Sequence, residues 1–184
     1  MADLYPTVSQ SNPLSPPQGT YQPSKGASDS AGASTRMCVF LLGGESFAMD
    51  LRHVAEVFEV ESVTAVPGMP RVLVGVTNLR GTIVSLVDLR ETLEVSLASS
   101  VLPFAVVMRE GAKLCGVLVD DVPEIRTVSR NDLLPALQSG PYERRPGVSL
   151  VLRLGSRLCG VLDVTQVFAQ IEGGSGGTEV EAGR

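Results

Sequence analysis

Residues 67–90 read PGMPRVLVGVTNLRGTIVSLVDLR. Two runs rich in Val, Val72–Val76 and Thr82–Val87, flank Asn78-Leu-Arg-Gly81. Short β-branched runs bounded by turn residues read as strands. Asn suits the turn entry and Gly81 supplies a positive φ, so Asn78–Gly81 reads as a four-residue hairpin loop with Arg80 at its stiff tip. Upstream, Val63–Val66 reads as a brief strand stopped by Pro67 and Pro70. Downstream, Leu89 and Leu93 read as a short helix.

The same texture continues in both directions. Met37–Leu42 and Ser46–Met49 form a hairpin around Gly43-Gly44, and Leu102–Met108 and Lys113–Val119 form another around Glu110-Gly111. Val148–Leu154 and Arg157–Leu162 form a fourth around Gly155-Ser156, and Glu124–Val128 reads as a further strand. Leu51, Val54, Ala55 and Phe58 fall at helical spacing, as do Val164, Val167, Phe168 and Ile171 towards the end of the chain. Ser129–Asp132 starts a helical turn that takes in Leu133 and Leu134. About ten short strands in about 137 residues, spaced near ten residues apart, point to a mostly β fold of two small five-stranded barrels with a few short helices. A weak internal repeat supports this: Gly111-Ala-Lys-Leu-Cys-Gly-Val-Leu-Val-Asp120 resembles Gly155-Ser-Arg-Leu-Cys-Gly-Val-Leu-Asp163.

Composition bounds the rest. Val, Leu, Phe and Ile make up 56 of 184 residues, well above the level at which chains fail to form a core. Residues 1–35 carry 5 of the 12 Pro and 7 Ser, and 173–184 carry 5 of the 19 Gly. They read as a disordered tail and a flexible end, leaving 36–172 as the folded domain. A net charge of −5 and no basic run longer than Arg144-Arg145 argue against nucleic acid as a partner. The longest apolar run is Met37–Leu42, too short for membrane insertion or a signal segment, so a cytoplasmic location is expected.

The chemistry-bearing residues are sparse. Cys38, Cys115 and Cys159 are spaced for neither zinc nor a disulfide framework, and read as small buried apolar residues. His53 is the single histidine. No nucleophile with an oriented base and no phosphate-binding loop is present, so neither catalysis nor a cofactor is expected. Asp50, Asp88, Asp120 and Asp163 each end an apolar run. Capping of the following turn or helix is the simpler account; the alternative is a carboxylate cluster holding a divalent cation in a metal-dependent β-barrel enzyme.

Gly75-Val-Thr-Asn-Leu-Arg-Gly81 followed by Val87-Asp-Leu-Arg90 resembles the CheW family, the adaptor proteins of bacterial chemosensory arrays. Further matches follow in order: Phe40–Gly43, Phe47–Asp50, Val54-Ala-Glu-Val57, Val66–Pro70, Gly116–Val122 and Val161–Asp163. The resemblance implies two five-stranded SH3-like barrels and no catalysis. It implies coupling of chemoreceptor cytoplasmic helices to the regulatory domain of a CheA-type histidine kinase, with other CheW-like proteins as further partners. Carried over by position, Val54, Glu56, Gly75 and Arg80 fall in the receptor-contact region, and Glu56 is expected to pair with Arg80. Three departures stand out: Ser85 where the family carries proline, Val148–Val151 in place of a glycine-containing strand entry, and a longer N-terminal tail. These leave room for an accessory adaptor that binds receptors without effectively recruiting kinase.

Overall fold

In the computed structural model, residues 34–97, 102–136 and 140–173 are described. Glycine turns create the hairpins. Gly43, Gly44, Gly81, Gly111 and Gly155 all take positive φ, and each separates two strands that pair antiparallel. The strands are β1 (Ser34–Leu42), β2 (Glu45–Asp50), β3 (Val54–Glu59), β4 (Leu73–Leu79), β5 (Thr82–Val87) and β6 (Phe104–Glu110). They continue with β7 (Lys113–Val119), β8 (Glu124–Ser129), β9 (Leu133–Pro135), β10 (Val148–Leu154) and β11 (Arg157–Leu162), followed by helix α1 (Val164–Gly173).

Two sheets result, as the strand tally predicts. One runs β8-β1-β2-β11-β10-β9 and the other β3-β6-β7-β5-β4. The first has six strands, one more than expected, because Leu133 and Leu134 pair with Leu152 and Val151 as a short edge strand. Its two edges, β8 and β9, are joined only by the 3-10 turn Arg130–Asp132. A flat six-stranded sheet would hold those edges about 24 Å apart, while the Ser129-to-Leu133 link reaches at most about 14 Å. The sheet therefore curls on itself. In the second sheet, the loop after β3 bridges to β4 through Thr64 and Val76, so its edges also approach each other.

The internal repeat has a structural meaning. β7 pairs parallel to β5 and β11 pairs parallel to β2. The glycine of each Leu-Cys-Gly-Val-Leu copy faces a side chain that leaves no room for a Cβ: Leu86 Cδ2 would lie 2.6 Å from one at Gly116, and Tyr142 Cδ1 2.8 Å from one at Gly160. The largest buried cluster joins both sheets and α1, with Phe40, Phe47 and Met49 from the first, Val106, Met108 and Val117 from the second, and Val167 and Phe168 from the helix. Smaller clusters fill each sheet's own interior. The two subdomains thus share one core rather than standing alone.

Several local expectations are corrected. Leu51–Phe58 is a 3-10 turn (Leu51–His53) followed by strand β3, not a helix. Its apolar residues keep helical spacing, but pairing with β6 makes it a strand that turns Val54, Glu56 and Phe58 inward. Val63–Val66 forms no strand, only the Thr64 bridge. Leu89–Leu93 forms turns held by Leu93 N–H donating to Leu89 O at 2.7 Å, too short a segment to propagate as a helix. Leu133 and Leu134 leave the helical turn for β9. Asn78–Gly81 is a two-residue turn, since Leu79 still pairs with Thr82. Ser34 and Thr35 already belong to β1 and Gly173 to α1; the rest of the expected tails, 1–33 and 174–184, lies outside the described residues. Among the described residues, no helix is long and apolar enough to cross a membrane.

Candidate functional site

The candidate site grows from the turn between β4 and β5. Arg80 and Gly81 both take positive φ, 50° and 87°, the signature of a type I′ turn whose twist matches the strands it joins. Asn78 Oδ1 accepts a hydrogen bond from Gly81 N at 2.8 Å. The left-handed conformation of Arg80 costs an L-residue other than Gly about 1 kcal/mol, and the β4–β5 register on either side imposes it. The backbone direction of Arg80 is therefore fixed. Its side chain is 82% exposed, and its Nη2 lies 2.9 Å from Oε1 of Glu56, which is 28% exposed.

Glu56 reaches that position because β3 alternates. Val54, Glu56 and Phe58 are half-buried while Ala55, Val57 and Glu59 are exposed. β3 and β4 are opposite edges of the five-stranded sheet, so the ion pair spans its closing seam. Two backbone hydrogen bonds form that seam: Thr64 N to Val76 O at 2.8 Å and Val76 N to Thr64 O at 2.9 Å. Each contributes about 0.5–1.5 kcal/mol, whereas an exposed ion pair contributes about 0–1 kcal/mol. The seam sets the pair, not the reverse.

The four residues carried over from the resemblance separate into three environments. Glu56 and Arg80 meet at the surface, where Phe58, Glu59, Glu61, Thr77 and Asn78 line a polar groove with them. Val54 packs against the shared core. Gly75 is buried beneath the seam, where a Cβ would lie 2.4 Å from Thr64 O and 2.7 Å from Val63 Cγ1. The site is thus one guanidinium held over a carboxylate, in surroundings with further acids at Glu59 and Glu61. It offers directional hydrogen bonding.

A second surface is apolar. Met69, Pro70, Leu73, Leu114, Phe168 and Ile171 line a groove between β4, β5, β7 and α1. Ser85 lines it too. At its rim Lys113 Nζ meets Glu172 Oε1 at 2.5 Å and lies over the Phe168 ring.

The four strand-end aspartates have separate local tasks. Asp50 caps the 3-10 turn after β2 and accepts from Arg52 N, Nε and Nη2. The Arg52 guanidinium holds its carboxyl below the usual range. Asp88 clasps Arg90, and Asp163 accepts from Gln166 N at the start of α1. Asp120 binds Gly43 N and Gly44 N at 3.1 and 2.8 Å, tying the β1–β2 turn to the end of β7. Among the described residues, no group of three His, Cys, Asp or Glu is placed to share a metal ion. His53 Nδ1 lies 3.3 Å from Arg109 O. All three cysteines are buried; burial pushes the Cys38 thiol up to about 11 and Cys115 up to about 12.

Sequence reasoning missed one cluster. Tyr142, placed in a loop by its Pro and Gly neighbours, is 4% exposed. It donates to Ser46 O at 2.8 Å and sits edge-on to Phe47 with ring centroids 5.7 Å apart. Arg145 stacks over it at 5.2 Å and pairs with Glu45 at 2.6 Å. The glycine of the second repeat, Gly160, which the Tyr142 ring covers, was the available signal.

The family model described as a CheW-like domain matches residues 36–172. The chain is 26% identical over 135 residues to the chemotaxis protein CheW of Klebsiella aerogenes, covering 73% of this chain and 81% of that protein. It is 27% identical over 143 residues to the chemotaxis protein CheW of Treponema pallidum, covering 74% and 84%. In structure it is similar to the scaffolding protein TtCheW from Thermoanaerobacter tengcongensis, with a TM-score of 0.64, 21% identity, and coverage of 71% of this chain and 90% of that one. That last likeness shows the fold.

Proposed function

The chain belongs to the CheW-like domain family, and from that premise we propose that it is a non-catalytic, cytoplasmic adaptor of a bacterial chemosensory system. It couples the cytoplasmic helices of chemoreceptors to the regulatory domain of a CheA-type histidine kinase, with other CheW-like proteins as further partners. The observation that carries this reading is the Arg80–Glu56 pair at the sheet seam. The turn sets the direction of the Arg80 backbone and the half-buried Glu56 carboxylate engages its guanidinium, which reduces the freedom left to lose on binding. Arg anchors of this kind are enriched at interface hot spots. A pull-down with receptor cytoplasmic fragments tests it. Wild type is retained and Arg80→Glu is lost; equal retention of the two removes the receptor assignment.

A second reading, an accessory adaptor that binds receptors without effectively recruiting kinase, draws support from Ser85. This residue lines the apolar groove together with Leu73, Val87 and Cys115, at a position where the resemblance implies proline. Kinase activity in a mixture of receptor fragment, kinase and this protein separates the two readings. Stimulation favours the full adaptor, and receptor binding without stimulation favours the accessory one.

A further inference from the structure

We infer that Gly75 is a positioning residue: by leaving room for Thr64 to bridge to Val76, it closes the β3 and β4 edges and so holds Arg80 over Glu56, without itself meeting the partner. The resemblance alone groups Gly75 with the contact residues; the burial of Gly75 gives it a different task. This inference rests on the functional reading above for its binding consequences, and on the seam alone for its structural ones.

The chain of causes is short. β4 carries Gly75 and runs on through Leu79 into the strained Arg80 turn. β3 carries Glu56, and the segment after it returns at Thr64 to pair with Val76 through two hydrogen bonds. Within the sheet itself the two edge strands are separated by β6, β7 and β5. The Thr64 crossing is therefore what brings the two ends of the sheet into register. That crossing passes so close over Gly75 that a methyl group there would lie 2.4 Å from the Thr64 carbonyl oxygen. The obstructing atom is backbone and cannot swing aside as a side chain does. The β4–β5 ladder also shifts register between Leu73 and Gly75, so β4 is kinked at the crossing. An exposed ion pair is too weak to pull the edges together once the seam is displaced.

The test reads amide hydrogen exchange on the full chain without any partner, and binding to a receptor cytoplasmic fragment as a second measurement. In Gly75→Ala, exchange at Thr64 and Val76 is expected to rise roughly tenfold while Val106 and Val117 in the β6–β7 ladder keep their protection. Fragment binding is expected to weaken roughly tenfold. Thr64→Pro removes one seam donor at an exposed position and sets its Cδ against Val76 O, so it opens the crossing without changing Gly75. It is expected to weaken binding in the same direction, and it carries the test if Gly75→Ala does not fold. In either background, adding Arg80→Ala is expected to cost less than about twofold, against roughly tenfold in wild type. A role in overall stability alone lowers the melting midpoint and leaves that Arg80 effect intact. The inference is overturned if Gly75→Ala keeps Thr64 and Val76 protected. It is equally overturned if Thr64→Pro binds as wild type does while Gly75→Ala does not, which makes Gly75 a direct contact. If the wild-type chain binds no fragment, the functional reading falls and the exchange data alone decide the seam.

Discussion

Tyr142 locks the parallel junction of β2 and β11, and its removal is expected to have a cost that separates into two parts. In Tyr142→Phe the ring stays, so the edge contact with Phe47 and the Arg145 stack survive. What is lost is a buried hydroxyl donating to Ser46 O at 2.8 Å, with Leu158 O a longer second acceptor at 3.3 Å. Removing one partner of a buried hydrogen bond costs about 1–2 kcal/mol. Tyr142→Ala also removes the ring, leaving a void against Phe47 and Gly160, for a total of about 3–5 kcal/mol. For a domain of this size that is about 4 °C of melting temperature per kcal/mol. The chain has no tryptophan, so urea unfolding followed by far-ultraviolet circular dichroism is the suitable assay. The slope should stay constant and the midpoint fall in the order wild type, Phe, Ala. If Tyr142→Phe lies within about 0.5 kcal/mol of wild type, as an ordinary surface change does, the hydroxyl is not holding the junction and the reasoning fails.

Three further outcomes follow from the same structure. The thiols of Cys38 and Cys115, pushed up to about 11 and about 12 by burial, and the buried Cys159 should resist iodoacetamide at mildly alkaline pH and react only on unfolding; rapid labelling of the native chain contradicts this. Asp50, with its carboxyl lowered by Arg52, contributes stability that is present above the usual carboxylate range and lost as pH falls through its folded value. Asp50→Asn should therefore destabilise near neutrality, and the difference should vanish in acid. A difference that grows on acidification, measured by urea unfolding at several pH values, would refute the sign. Asp120→Ala frees the Gly43 and Gly44 amides, so it should lower stability by about 1–2 kcal/mol and speed exchange at those two amides.

The hairpins were legible because glycine marks their turns: β10 and β11 begin and end at the residues the pattern gives. Burial of the cysteines and capping by Asp50 and Asp163 were legible for a similar reason, since each depends on local sequence. What failed depends on distant partners. Leu51–Phe58 fits a helical stripe, and only pairing with β6 makes most of it a strand, with charged Glu56 on its inward side. Leu133 and Leu134 become a strand because β10 lies beside them. At the site, the Arg80–Glu56 contact expected from the resemblance is present. The burial of Gly75 was not legible, because its cause is a carbonyl eleven residues earlier in the chain, at Thr64. Tyr142 was hidden by loop-forming neighbours for the same reason.

The proposed function places receptor recognition on Arg80, held over Glu56. Titration calorimetry with a receptor cytoplasmic fragment tests it most directly, using wild type, Arg80→Glu, and the exchanged pair Arg80→Glu with Glu56→Arg. The exchange restores an ion pair across the seam but presents the opposite charge at the turn. Both variants are expected to lose roughly tenfold or more in affinity while the exchanged pair keeps the wild-type melting midpoint. Wild-type affinity in either variant would contradict it.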